Sequence, residues 1–585
     1  MRLPETFFKE RQRHLLSWGD RPVLGEVSED GTFHIGDQDA VSGKSGVGVG
    51  IVSMALDGDA ILYAESREVF MSVTLDGGTR LAVVETGLDG TREHWQATLP
   101  ATASGPWTIH DVLEGRDESG GGVLVLTVED ARGATEFHQV SAGGPVTVHT
   151  PRAGGQLVHW DLRYDTAVIR QDRGPREPVL HLERPVTGTT PLSVPGHWRD
   201  GWDGRGLIVQ DAEDGPRLVA WDLSSSSLQP VTGIRGHVDD ARILRDGTGR
   251  LLVITTVDGA DVLHLRSDET GEAEALPLAP AGRLRFRVAG PRGIGLYSAG
   301  TLAGSAWLWL DATGALHRSR GDIPAHDGGA GLRHVTYGRT PVLEYLPEEP
   351  PVALVISLHG GPESVERDEL RWDGLYRDLL KARIAVMGLN YSGSLGYGTD
   401  HTRRAWKNWT CAFEEDLRAC IATARTWGLD DSDIALLGGS FGGGLALLGC
   451  GLHAGLSGAV CSAPLIDICA HAQRAADADT SYEDWFGERF ELGASTSPAQ
   501  RVFDPLHLSA APPGPRAVLI HGDQDEVTEW RDSRDAVDLA VRHGLDWKLV
   551  TETGLGHVPA DVDEVNLRYG HVTSALAEVL GRPLP

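Results

Sequence analysis

The amino-acid sequence predicts an all-β propeller of about seven blades followed by an α/β-hydrolase fold, divided at residues 1–325 and 326–585. Three observations carry this. The first half lacks long amphipathic helices and repeats short β-rich runs roughly every 40 to 45 residues. The second half places apolar strands at spacings that leave room for a strand–helix–strand excursion between them. Within it, a serine stands at the apex of a strand–turn–helix in Gly438-Gly439-Ser440-Phe441-Gly442. At 585 residues the chain exceeds what one hydrophobic core holds, so at least two domains are expected.

In the first half, β-rich runs start near Leu81, Val123, Thr166, Gly206, Leu251 and Gly293, separated by Asp-Gly and Gly-rich turns. A second strand often follows, as in Leu218–Leu223 and Ser305–Leu310. Several strands per unit at this period read as propeller blades, with a pair of β-sandwiches as the competing reading. Residues 1 to about 20 read as helical through Phe7-Phe8 and Leu15-Leu16. Trp307 and Trp309 alternate with leucines and fit a packed strand. Gly293-Ile294-Gly295 lacks the third glycine of a dinucleotide loop and reads as a strand turn.

The join falls between about 322 and 345, where Asp327-Gly328-Gly329-Ala330-Gly331 is a flexible stretch. Leu332–Tyr337 and Val342–Tyr345 then form an antiparallel pair opening the second sheet. Val352–Leu358 is a strand, and His359-Gly360-Gly361-Pro362 follows it. The run Ile434–Leu437 leads into the serine turn, and Gly443–Leu448 continues as a helix. Such a turn lifts a hydroxyl above the sheet, and side chains on its flanks would collide with neighbouring elements. Arg516–Ile520 is a strand ending at His521-Gly522-Asp523-Gln524-Asp525, and Trp547–Val550 leads to Gly554-Leu555-Gly556-His557. The order Ser, Asp, His suits a hydrolytic triad on this fold. Ser440 is the candidate nucleophile and His557 the general base and later acid. Asp525 orients the imidazole, with Asp523 as a competitor, and His521 reads as structural. The backbone N–H groups of Gly361 and Phe441 are the candidate oxyanion hole.

These segments together resemble the prolyl oligopeptidase family, especially its acylaminoacyl-peptidase and dipeptidyl-peptidase branches. His359–Pro362 is similar to the family's HGGP, and Asn390–Gly398 to its N-Y-R-G-S-x-G-Y-G, with Ser392 in place of the arginine. Gly438–Gly443 resembles G-G-S-x-G-G, and His521-Gly522-x-x-Asp525 resembles H-G-x-x-D. The resemblance implies an acyl-enzyme serine peptidase of short peptides, with access gated by the propeller. It also implies an N-terminal segment that packs on the catalytic domain, and aromatic residues between serine and aspartate lining the pocket for the residue before the cut. Tyr482, Trp485 and Phe486 are available for that role. Prolyl endopeptidases place an arginine two residues after the aspartate, where this chain has Val527, which leans the resemblance toward the acylaminoacyl type.

Composition narrows the partners. The net charge is −30, from 53 basic and 83 acidic residues, which argues against nucleic acid and anionic membranes. Met1–Trp18 has no apolar core of a signal peptide, and no run approaches the ~18 apolar residues of a membrane helix. All five cysteines lie in the second half without a C-x-x-C pair, so free buried thiols in a reducing cytoplasm are expected. There is no H-E-x-x-H and no zinc-type Cys/His cluster, so neither metal nor cofactor is expected. Self-association into a homo-oligomer stays open. Two further readings also stay open: an esterase or amidase using the same triad, and a propeller scaffold carrying a relic hydrolase domain.

Overall fold

The computed structural model describes residues 3–584 apart from 38–51, 491–514, the short stretches 19–20, 28–31, 56–59, 65–68, 87–91, 102–105, 189–191, 213–214 and 279–281, and positions 143, 175, 258, 291 and 372. Among the described residues the first half forms seven antiparallel four-stranded units. They span 14–55, 60–98, 108–149, 156–195, 197–230, 237–275 and 283–320. The third and fourth units merge through one parallel bridge between Asp161 and Arg116. Apolar clusters join neighbouring blades, and the ring closes where Leu15 and Leu24 of blade one pack with Val288, Tyr297 and Trp307 of blade seven. Trp307 and Trp309 are buried in this cluster. Truncating a ring so placed costs about 3–5 kcal/mol.

The turns repeat as the strands do. Asp117, Asp222, Asp246 and Asp311 each accept the backbone N–H two residues on, at 2.8, 2.9, 2.9 and 2.9 Å. This carboxylate brace is the physical basis of the Asp-rich turn signal in the sequence. Five of the six run starts fall on the second strand of a blade, whereas Leu81 falls on the third strand of blade two, Arg80–Thr86. Its second strand, Val69–Asp76, carries a similar apolar pattern just before Gly77-Gly78, so periodicity could not fix the phase.

The N-terminal expectation needs a correction. Helix α1 covers only Leu3–Gln12, and His14–Trp18 is a strand of blade one. Leu15 and Leu16 are both fully buried, which a surface helix would not allow. Helix α1 does contact the last helix of the second half. Its Glu10 is buried and accepts from Ser305 Oγ (2.7 Å) and the Asp322 N–H (2.6 Å).

The second half is built on one eight-stranded sheet. We label its strands β1 (Gly331–Tyr337), β2 (Thr340–Leu346), β3 (Ala353–Leu358), β4 (Ile384–Leu389), β5 (Ile434–Gly439), β6 (Gly458–Ser462), β7 (Arg516–Gly522) and β8 (Trp547–Glu552). Their order is β1-β2-β4-β3-β5-β6-β7-β8. The β1–β2 and β2–β4 pairs are antiparallel and the rest parallel. Helices α2 (Leu375–Lys381), α3 (Trp409–Thr426), α4 (Phe441–Leu452), α5 (Ile468–Ala478), α6 (Ser481–Arg489), α7 (Trp530–Arg542) and α8 (Val562–Leu580) follow in chain order. Helices α3 and α4 share one apolar cluster with the sheet, while α2 and α8 share the other. Both faces are therefore covered, which is why the central strands read as continuous apolar runs. This topology delivers the C-terminal ends of β3, β5, β7 and β8 to one edge.

No helix among the described residues is long and apolar enough to cross a membrane. None of the five cysteines is bridged. Cys420, Cys450 and Cys461 are buried, but Cys411 and Cys469 are exposed, against the expectation of buried thiols throughout.

Candidate active site

Ser440 occupies the turn between β5 and α4 with φ 54° and ψ −123°, a left-handed conformation for a residue with a side chain. Such strain costs about 1–3 kcal/mol and persists only where neighbours fix it. Here the Ser440 N–H donates to the Ser462 carbonyl at 2.9 Å, and the Ser440 carbonyl accepts the Leu465 N–H at 2.9 Å. The flanking glycines are sterically required: a β-carbon on Gly438 would lie 2.1 Å from the Gly442 carbonyl oxygen, and one on Gly442 would lie 2.2 Å from that of Leu358.

Asp525 and His557, at the ends of β7 and β8, meet directly. His557 Nδ1 donates to Asp525 Oδ2 at 2.7 Å, which leaves Nε2 as the proton acceptor. The other carboxylate oxygen, Oδ1, accepts the N–H groups of Val527 and Thr528, both at 2.8 Å. Burial alone would push Asp525 up. Hydrogen bonds from His521 and His557, with the Thr528 N–H, outweigh it and hold the carboxyl well below the usual range. His521 is fully buried, with Nε2 3.2 Å from Asp525 Oδ2 and Nδ1 2.8 Å from Ser533 Oγ. Asp523 does not share the site. It accepts the Gly554 N–H at 2.7 Å and braces the histidine loop.

Two contributors carried no sequence signal. The Thr528 hydroxyl lies 3.0 Å from Asp525 Oδ2, 3.2 Å from His557 Nδ1 and 3.1 Å from the Ala463 carbonyl, joining acid, base and the serine turn's neighbour. Arg568, on α8, donates to the carbonyls of His557 (2.7 Å) and Gly556 (3.1 Å) and pairs with buried Glu552. Arg568→Met frees the histidine loop, and a misplacement near 1 Å costs about 100-fold. We expect kcat to fall by about that factor. Breaking the buried pair should also lower stability by about 3–5 kcal/mol, and kinetics alongside thermal unfolding check both effects.

The HGGP loop is held by the segment after β4. His359 Nδ1 donates to the Gly360 carbonyl (2.7 Å), and Nε2 accepts from Ser394 Oγ (2.7 Å). The Tyr391 ring stacks on His359 at 4.3 Å, and its hydroxyl donates to the His359 carbonyl at 3.0 Å. Ser392, where the resembled family has arginine, donates its N–H to buried Asp416 at 2.6 Å. Gly360 packs so close to Ser440 that a β-carbon would lie 3.4 Å from the serine Cβ.

Burial pushes the His359 imidazole down to about 4 from an ordinary 6.5. Between these values the unfolded chain binds a proton that the folded one does not, so this ring's contribution falls as pH drops from 6.5 to 4. The full change is about 3 kcal/mol. The Tm advantage of wild type over His359→Gln at pH 7.5 is therefore expected to shrink across that window. A constant difference contradicts the assignment.

The candidate residues are divided between two cavities. Ser440 and His557 line one of about 340 Å³, together with Gly360. Gly361, Asp525, Val527, Tyr482, Trp485 and Phe486 line a chamber of about 1000 Å³. Its other wall comes from the propeller, including Glu177, His197 and His237 in strands and Asp211 just after one. Tyr482 and Trp485 pack around Phe486 at 6.2 and 4.9 Å between ring centroids. The Phe441 ring is fully buried against Trp409 at 4.9 Å, so only its backbone is available to the site. Arg176 of the propeller pairs with Asp484 of α6 at 3.1 Å, tying the two walls.

Residues 378–582 match the prolyl oligopeptidase family. Over 100 residues the chain is 35% identical to dipeptidyl aminopeptidase BIII of Pseudoxanthomonas mexicana, a stretch covering 17% of this chain and 14% of that protein. In fold it is similar to a puromycin-hydrolyzing peptidase of Mycobacterium tuberculosis, with TM-score 0.69 and 18% identity over 100% of this chain and 96% of that one. It is likewise similar to the Pyrococcus horikoshii acylaminoacyl peptidase, with TM-score 0.68 and 13% identity over 99% and 97% of the two chains.

Proposed function

Because the chain belongs to the prolyl oligopeptidase family, we propose that it is a serine peptidase that cuts short peptides through an acyl-enzyme formed on Ser440. The observation that carries this is the 2.7 Å contact between His557 Nδ1 and Asp525 Oδ2, made beside a serine that shares a cavity with His557. His557 Nε2 takes the Ser440 proton as the oxygen attacks the scissile carbonyl, then gives it to the departing amine; water repeats the cycle to release the acid. The N–H groups of Gly361 and Phe441 are assigned to the oxyanion, with Phe441 at the N-terminus of α4 adding a favourable dipole.

The aromatic group of Tyr482, Trp485 and Phe486, with Val527, is assigned to the side chain before the cut and suits a compact apolar residue. The propeller wall across the chamber makes entry selective for short or unfolded chains, with the division between the two domains drawn at residues 325 and 326. Cysteine usage supports a reducing cytoplasm.

The test is cleavage of a mixed short-peptide pool read by mass spectrometry, with Ser440→Ala as control. Cuts made only by the intact serine are expected, and their positions distinguish endo-, acylaminoacyl- and dipeptidyl-type action. Ester hydrolysis without any Ser440-dependent peptide cut would transfer the triad to an esterase.

A further inference from the structure

The 340 Å³ cavity beside Ser440 has a feature that the serine turn does not require. Gly439 lines it. Gly438 and Gly442 are glycines by steric necessity, but Gly439 is not: its backbone lies outside the left-handed region, and a β-carbon would meet only the Ser462 carbonyl oxygen, at 3.8 Å. Backbone and packing would accept a β-carbon here. What the missing side chain leaves is open space next to the nucleophile.

Resting on the peptidase reading above, we propose that this cavity is the leaving-group subsite, which receives the amine side of the scissile bond, and that Gly439 keeps it open. The chemistry places the two halves of a substrate. In acylation the Ser440 Oγ–carbon bond forms and the carbon–nitrogen bond breaks, and the serine proton passes through His557 to the departing nitrogen. The amine component must therefore lie within reach of both Ser440 and His557, and these two residues line this cavity together. The acyl side chain is accounted for elsewhere, at the aromatic wall of the chamber.

The lining names the ligand class. Val558, Pro559, Val565 and Val572 offer aliphatic surface, and Glu366 and Arg371 add polar groups. Glu366 accepts from Tyr376 Oη at 2.8 Å, and Arg371 is held by Asp373 at 3.0 and 3.2 Å. This combination suits an amino acid amide or short peptide amine with an apolar first side chain and a polar continuation. The space fits about one or two residues.

Two measurements test the assignment. The first uses wild-type enzyme and an ester of the acyl group identified from the peptide pool. An amine that re-forms the bond must occupy the site from which the leaving group departs. Leucinamide is expected to divert the acyl-enzyme from water with saturation, at least tenfold more effectively than glycinamide. Equal, non-saturating diversion by both amines overturns the assignment.

The second uses Gly439→Val, with active sites counted by phosphonate labelling so that misfolded protein is not scored. For a peptide with leucine after the cut, kcat/KM is expected to fall at least tenfold. For the primary amide of the same acyl group, whose leaving group is ammonia, the loss should be at least fivefold smaller than for the peptide. Equal loss on both substrates, or loss on neither, overturns it. Wild-type cleavage of the same peptide reports separately on the peptidase reading.

Discussion

Ser440→Ala is expected to lower kcat on any peptide substrate on the order of a million-fold, with KM little changed. The size of the effect follows from the site. Among the described residues no other hydroxyl occupies the strained turn that lines the 340 Å³ cavity with His557. What survives is the rate that binding and an oxyanion site supply without a nucleophile. The fold should hold, because the turn is fixed by the backbone bonds to Ser462 and Leu465 rather than by the side chain. Steady-state kinetics with thermal unfolding as control check both halves of the expectation. A loss below about a hundredfold would remove Ser440 from the nucleophile's role.

Asp525→Asn is expected to cost about 10⁴ in kcat. The carboxylate uses both oxygens: Oδ2 accepts a hydrogen bond from His557 Nδ1–H, and Oδ1 accepts the N–H groups of Val527 and Thr528. A carboxamide has one acceptor oxygen. If that oxygen faces the two backbone donors, its NH₂ faces His557 and forces the proton onto Nε2, which then cannot accept the serine's. If it faces His557, two backbone donors lose their acceptor against an NH₂ group. Either arrangement removes a requirement of the mechanism, whereas Asp523→Asn, on the loop brace, should cost less than tenfold. Comparing kcat for the two variants decides between the aspartates.

The three central residues were legible because each stands where an apolar strand gives way to a glycine-bearing turn, and parallel sheets bring such ends together. The His359–Pro362 loop after β3 was legible for the same reason. Thr528 and Arg568 were not. Thr528 is one polar residue in a polar loop, and Arg568 lies mid-helix in α8, where an arginine reads as a solvated face until the fold brings it under the His557 loop. Asp523 and Asp525 both reach the loop after β8, one its Gly554 N–H and the other the His557 ring, and that division is a tertiary fact. Glycine content hid another distinction: in the run Gly438-Gly439-Ser440, only steric contacts separate the glycine that must be one from the glycine that leaves a space. In the propeller the period survived but its phase slipped in blade two, because paired strands in one blade share the same alternation.

The most direct test of the account is reaction with a serine-directed phosphonate, followed by intact mass and peptide mapping. The account predicts one adduct per chain, on Ser440, forming in step with the loss of peptide cleavage and strongly slowed in His557→Ala. An adduct on another residue, or peptide cleavage that persists in fully labelled protein, would contradict it.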